Sequence, residues 1–193
     1  MKSIAVYCGS SAGTDERFRQ HATEVGQLFA RRHITLVYGG GNVGLMGAVA
    51  DATMHGGGQA IGVIPGFLKD KEVAHLGLTS LEVVENMHQR KLRMAELAEG
   101  FIAMPGGFGT LEELFEVLTW GQLGLHRKPV GLLNVAGFYD ALITLLDHMT
   151  TQGLLRAENR GQLLVADNID ELLALMQAWQ PAHVEKWLTP RRT

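Results

Sequence analysis

The sequence predicts an α/β fold: a Rossmann-like, doubly wound, mostly parallel sheet with helices on both faces. Three observations predict it. Short apolar runs and stretches with helical spacing take turns along the chain from residue 3 to residue 179. The apolar runs do not alternate with polar residues, which is the pattern of strands buried on both faces. Gly/Ser clusters follow Cys8, Tyr38 and Met104, and in such sheets ligands bind where the strands end.

The elements follow in order. "SIAVYC" (3–8) is a strand ending in a Gly-Ser turn, and 15–32 sets Phe18, Val25, Leu28 and Phe29 at helical spacing. "ITLVYG" (34–39) is the second strand, and the small-residue stretch 44–57 is a helix closed by glycines. "QAIGVIP" (59–65) is the third strand, ended by Pro65, and 66–78 reads as irregular. "SLEVVE" (80–85) is a strand, 87–99 a helix, and "GFIAMPGG" (100–107) the fifth strand. Helix 110–124, strand 129–134, helix 138–152, strand 162–166 and helix 168–179 complete the alternation.

At 193 residues the chain predicts one domain over 1–180, with 181–193 as a C-terminal tail. Hydrophobic residues make up 46% and the net charge is -3, with no run of more than two Lys or Arg, Arg191–Arg192 at the tail included. That balance argues against a nucleic-acid or membrane surface. Cys8 is the single cysteine, so no internal disulfide forms. "MKSIAVYCGSS" is too soon broken to be a signal peptide, and no apolar run reaches membrane-spanning length. A soluble, cytoplasmic protein is expected.

"GGGNVGLMG" (39–47) has the G-x-G-x-x-G spacing at Gly39, Gly41 and Gly44. A dinucleotide site also wants an acidic residue at the end of the next strand. That end reads "IGVIPGF" and offers none, and the motif follows the second strand rather than the first. The glycines then make either a tight packing turn or the lining of a mononucleotide pocket. The second reading is preferred, with Gly9, Ser10, Gly40, Gly41, Gly44 and Met87 as lining residues.

"PGGFGT" (105–110) lacks the lysine of a triphosphate-binding loop. It still sets bare backbone amides at a helix start, where the macrodipole favours an anion such as a monophosphate. Thr110 followed three residues on by Glu113 reads as a capping box. Glu112 and Glu113 point about 100° apart on a helix, so at most one of them faces a substrate. In "ENMHQRKLRM" (85–94), Arg90, Met94 and Leu97 share one helical face. Arg90 on that stripe can snorkel, pair with a carboxylate or face a pocket. His88 has no His or Cys companion at ligand spacing, so no metal is expected.

Taken together, "YCGSS" (7–11), "GGGNVGLMG" (39–47), "MHQRK" (87–91), "PGGFGTLEEL" (105–114) and "LTWGQLGLH" (118–126) resemble the Lonely Guy family. These are cytokinin-activating nucleoside 5′-monophosphate phosphoribohydrolases, long labelled lysine decarboxylases. The resemblance implies a Rossmann-like homodimer that cleaves the N-glycosidic bond of adenine-type nucleotides without a cofactor. It implies Arg90 and Glu113 as catalytic residues. It also implies substrate contacts at Glu72, Arg90, Lys91, Gly106, Gly107, Phe108, Gly109, Thr110, Leu111, Glu112 and Thr119. Two other readings stay open. A non-catalytic nucleotide or molybdenum-cofactor carrier would not require the Arg90–Glu113 pair. A lysine decarboxylase would need a lysine for a pyridoxal-phosphate Schiff base, and only Lys91 of the six lysines sits in a motif.

Overall fold

The computed structural model describes residues 1–69 and 74–181. One seven-stranded sheet runs through it. Its strands are β1 (Ser3–Tyr7), β2 (Thr35–Tyr38), β3 (Ala60–Pro65), β4 (Ser80–Val84), β5 (Phe101–Ala103), β6 (Val130–Leu133) and β7 (Leu163–Ala166). They lie in the order β4-β3-β2-β1-β5-β6-β7, and every pairing is parallel. The sheet is thus wholly parallel. The helices are α1 (Glu16–Arg31), α2 (Gly44–His55), α3 (Gly66–Lys69), α4 (Met87–Leu97), α5 (Phe108–Gln122), α6 (Asp140–Thr151), α7 (Ala157–Arg160) and α8 (Ile169–Ala178).

Successive strand residues feed two cores because side chains alternate across a sheet. Ile4, Val6, Leu36, Tyr38, Ile102 and Met104 pack under α1, α2 and α8. Ala5, Tyr7, Val37, Phe101, Ala103 and Leu132 pack under α4, α5 and α6. The strands are apolar without alternation for this reason.

The chain winds outward from β1 to β4, then returns to lay β5 against the other side of β1. Strand order reverses there, and the chain leaves β1 for α1 on one face and β5 for α5 on the other, the place where ligands bind in such sheets. Two stretches differ from expectation. The irregular stretch 66–78 begins with α3, and α7 is an additional single turn. Residues 182–193, all of the expected tail 181–193 but its first residue, lie outside the described residues.

Candidate active site

Three loops meet at the carboxyl edge of the sheet: Cys8–Ser11 after β1, Gly39–Gly41 after β2, and Met104–Gly107 after β5. Backbone hydrogen bonds tie them together. The Gly9 N–H donates to Pro105 O at 3.0 Å, and Gly9 O accepts from Leu45 N–H (3.0 Å) and Met46 N–H (3.3 Å). Gly44 takes φ +62°, and a Cβ there would stand 2.3 Å from the Ser10 backbone. A Cβ at Gly106 would stand 2.1 Å from Thr110 Oγ1. Gly44 and Gly106 are therefore glycines because the loops pack closely. Gly107 and Gly109 differ, since nothing lies within 4 Å of where their Cβ would be.

Helix starts separate the two glycine motifs further. The N-caps of α1, α4 and α8 are Asp15, Asn86 and Asn168, and each side chain accepts a backbone N–H. Neither α2 nor α5 has such a side-chain cap. In α2 the leading amides of Leu45 and Met46 are spent on Gly9 O, so this end of "GGGNVGLMG" holds the loops together. In α5 the amide of Leu111 bonds Gly107 O at 3.2 Å. Helix geometry leaves the N–H groups of Phe108, Gly109 and Thr110 ahead of it with no carbonyl in the helix to bond. Gly107, Phe108 and Gly109 are exposed there, and Thr110 is buried.

The expected capping box is not formed. Helix α5 starts at Phe108 with Gly107 as its N-cap, so Thr110 is already its third residue. Thr110 is buried against Gly106, and Glu113 falls in the second turn. The glycine N-cap wins because no side chain needs to sit where the chain bends into the helix.

The two glutamates diverge as helix geometry requires. Glu112 meets Lys91 Nζ at 2.5 Å, and Glu116, one turn on, meets the same nitrogen at 3.0 Å. Burial works against the Lys91 charge, but the bonds to Glu112 and Glu116 outweigh it and leave its pKa raised. Glu113 is half-buried on α5. Burial lifts the Tyr7 and Cys8 pKa values, and the Glu113 carboxylate lifts both further.

Arg90 does not snorkel. It is only 5% exposed, on the same buried face of α4 as Met94. Its Nη2 donates to Gly39 O at 3.2 Å, and Nη1 lies 3.8 Å from the sulfur of half-buried Met87. Arg90 thus reaches the end of β2, while the Glu113 charge bears on Tyr7 and Cys8 at the end of β1, and these strands are neighbours. Lys91 and Glu112, each one residue from that pair, lock α4 to α5.

Of the other expected contacts, Leu111 is half-buried on α5. Thr119 is exposed, with its hydroxyl on Phe115 O at 2.7 Å. Nine residues along α5 from Thr110, it lies about 13 Å further down the helix. Gly9 and Ser10 lie in the β1 loop; Gly40 and Gly41 are buried and back onto the segment that returns at 74–75. Glu72 lies outside the described residues. Among the described residues, no group of three His, Cys, Asp or Glu side chains is placed to hold a metal, and no helix is long and apolar enough to cross a membrane.

Sequence reasoning missed two supports. Tyr139 donates its hydroxyl to Met104 O at 2.7 Å, holding the turn after β5 from beneath. Asn134 in turn accepts the Tyr139 N–H at 2.7 Å. "LNVAGFYD" shows an Asn and a Tyr five apart, but nothing in it names a partner 35 residues upstream. Glu116, the second partner of Lys91, was missed too; its i+4 spacing from Glu112 was the available signal.

Fold and strand order set the chain among doubly wound α/β proteins with a crevice at the switch point. The family profile described as "Possible lysine decarboxylase" matches residues 46–176, and the chain belongs to this family. It is 47% identical over 180 residues to a cytokinin riboside 5′-monophosphate phosphoribohydrolase of Arabidopsis thaliana, covering 93% of this chain and 83% of that one. A second Arabidopsis thaliana protein of that description is 44% identical over 182 residues, covering 94% and 85%. Among solved structures, the molybdenum cofactor binding protein from the phototrophic bacterium Rippkaea orientalis is similar in fold. Its TM-score is 0.69 at 22% identity, over 92% of this chain and 97% of that chain.

Proposed function

We propose that this protein hydrolyses the N-glycosidic bond of adenine-type, cytokinin nucleoside 5′-monophosphates, AMP included, releasing free base and ribose 5-phosphate. One observation carries the reading beside the relatives. A helix start without a side-chain cap, with open glycines, lies at the switch point, where Arg90 of α4 bonds the carbonyl ending β2 and the Glu113 charge of α5 bears on Cys8 after β1.

The 5′-phosphate rests on the amides of residues 107–110, where the α5 dipole favours negative charge. Its binding energy holds the scissile bond in place. As the C1′–N bond breaks, positive charge grows on the ribose and negative charge on the base. The Glu113 carboxylate offsets the first and orients the ribose hydroxyls or the attacking water. Water adds to C1′, and the base leaves with a proton. Arg90 steadies the carboxylate and the charge developing on substrate. A guanidinium holds its proton too firmly to serve as the acid, so the proton reaches the base through water. Lys91 is a poor candidate for a Schiff base, because two carboxylates hold it as an ammonium.

The protein acts as a soluble, cytoplasmic homodimer in this reading. Phe108 and Phe115 on α5 and Leu123 just after it form an exposed row, and Leu92 and Leu125 stand exposed beside a cavity of about 400 Å³. A second copy of the chain covers this face. Thr119 shares it, so its part in substrate binding depends on the dimer.

The test is a substrate panel with the free base measured by chromatography, and the mass in solution by light scattering. AMP and its N6-isopentenyl form should release base, and adenosine should do so at least about a hundredfold more slowly. Equal turnover of adenosine and AMP refutes the phosphate cradle. Nucleotide binding without base release would make the protein a carrier.

A further inference from the structure

Gly39 is not a glycine for the sake of its backbone. Gly40 and Gly44 nearby take φ +79° and +62°, but Gly39 lies outside the left-handed region. Its missing side chain answers to something else. A Cβ at Gly39 would stand 1.8 Å from Arg90 Nη2, 3.0 Å from Arg90 Cζ and 3.2 Å from Met46 Sδ. The guanidinium therefore lies against the Gly39 Cα and donates to the carbonyl of the same residue. Met46 on α2 closes the remaining side.

We propose that Gly39 is a positioning residue for the reaction, the seat that holds the Arg90 guanidinium where a substrate meets it. The inference rests on the function proposed above. A methyl group on the seat displaces the end of a long side chain, not backbone, so the fold survives while the guanidinium shifts by an ångström or more. Such a displacement of a group in a site costs about a hundredfold in rate. The phosphate cradle after β5 is not touched, so the loss falls on kcat more than on KM.

The experiment is a double-mutant cycle with Gly39→Ala and Arg90→Ala, reading kcat and KM for AMP and the Tm of each protein. Gly39→Ala should lower kcat about a hundredfold, with KM changed far less. In the Arg90→Ala background, where the space is vacant, the same methyl should cost no further activity and no Tm. Should Gly39→Ala alone fail to fold, the double variant should fold; if it does not, the seat belongs to something other than Arg90 and the proposal fails. Wild-type turnover in Gly39→Ala beside an inactive Arg90→Ala overturns the role of Gly39 alone. A further loss in the double variant also overturns it, since Gly39 would then act without Arg90. Wild-type turnover in Arg90→Ala overturns the catalytic reading of Arg90 itself.

Discussion

Glu113 and Glu112 are adjacent carboxylates with separate work. Glu112 lies with Lys91 and is half open to solvent, whereas Glu113 sits where its charge bears on Tyr7 and Cys8. Replacing Glu113 by Gln keeps the shape and removes the charge. The expected result is a kcat for AMP lower by about 10²–10³-fold in a protein whose circular dichroism is unchanged. The Glu112→Gln variant should lose far less in kcat. Equal losses in the two would mean that the carboxylates share one task. The family resemblance pointed to Glu113 and Arg90, but Gly39, whose carbonyl Arg90 bonds, lies 51 residues away on another loop. A contact of that separation is created by β2 lying beside β1, and no local pattern encodes it.

Among the elements, α4 and α5 are joined by a cation between two carboxylates. The Lys91 side chain is 9% exposed, against 53% for Glu112 and 23% for Glu116. Lys91→Met leaves two glutamates one turn apart without their cation. The expected cost is about 1–3 kcal/mol, a drop in Tm of a few degrees. Its pH dependence follows from sign. The folded pKa of Lys91 is raised, so its contribution is complete below the unfolded value of about 10.4 and is lost as pH rises through the folded one. Wild type and variant should therefore differ in Tm at pH 7 and converge in strong alkali. A gap that persists unchanged would assign the cost to packing. The order of strands and helices was legible, because apolar runs without alternation leave few architectures. The start of α5 was not. Thr110 and Glu113 imitate a capping box, and tertiary packing of Thr110 on Gly106 placed the helix two residues earlier.

The whole molecule explains why the two glycine motifs differ. Both follow a strand and precede a helix, so local sequence treats them alike. Only the strand order shows that the turn after β5 sits across the switch point from β1, while the turn after β2 is packed beneath its neighbours. The first starts its helix without a side-chain cap, and the second spends its leading amides on Gly9. The aromatic and asparagine supports below the edge, Tyr139 and Asn134, come from the segment after the neighbouring strand β6. They hold a turn formed by a different βα unit, which is why they carry no recognisable motif.

Cys8 gives the protein a built-in reporter. Its thiol lies at the end of β1 under the three loops, 7% exposed, and burial followed by the nearby Glu113 charge keeps it protonated. Native protein should be nearly inert to an alkylating reagent, since the thiolate is the reactive species. Labelling then proceeds only as often as the edge of the sheet opens. A nucleotide bridging the loops should slow the labelling in proportion to its occupancy, so mass spectrometry of one sulfur atom reads how firmly a ligand closes the crevice.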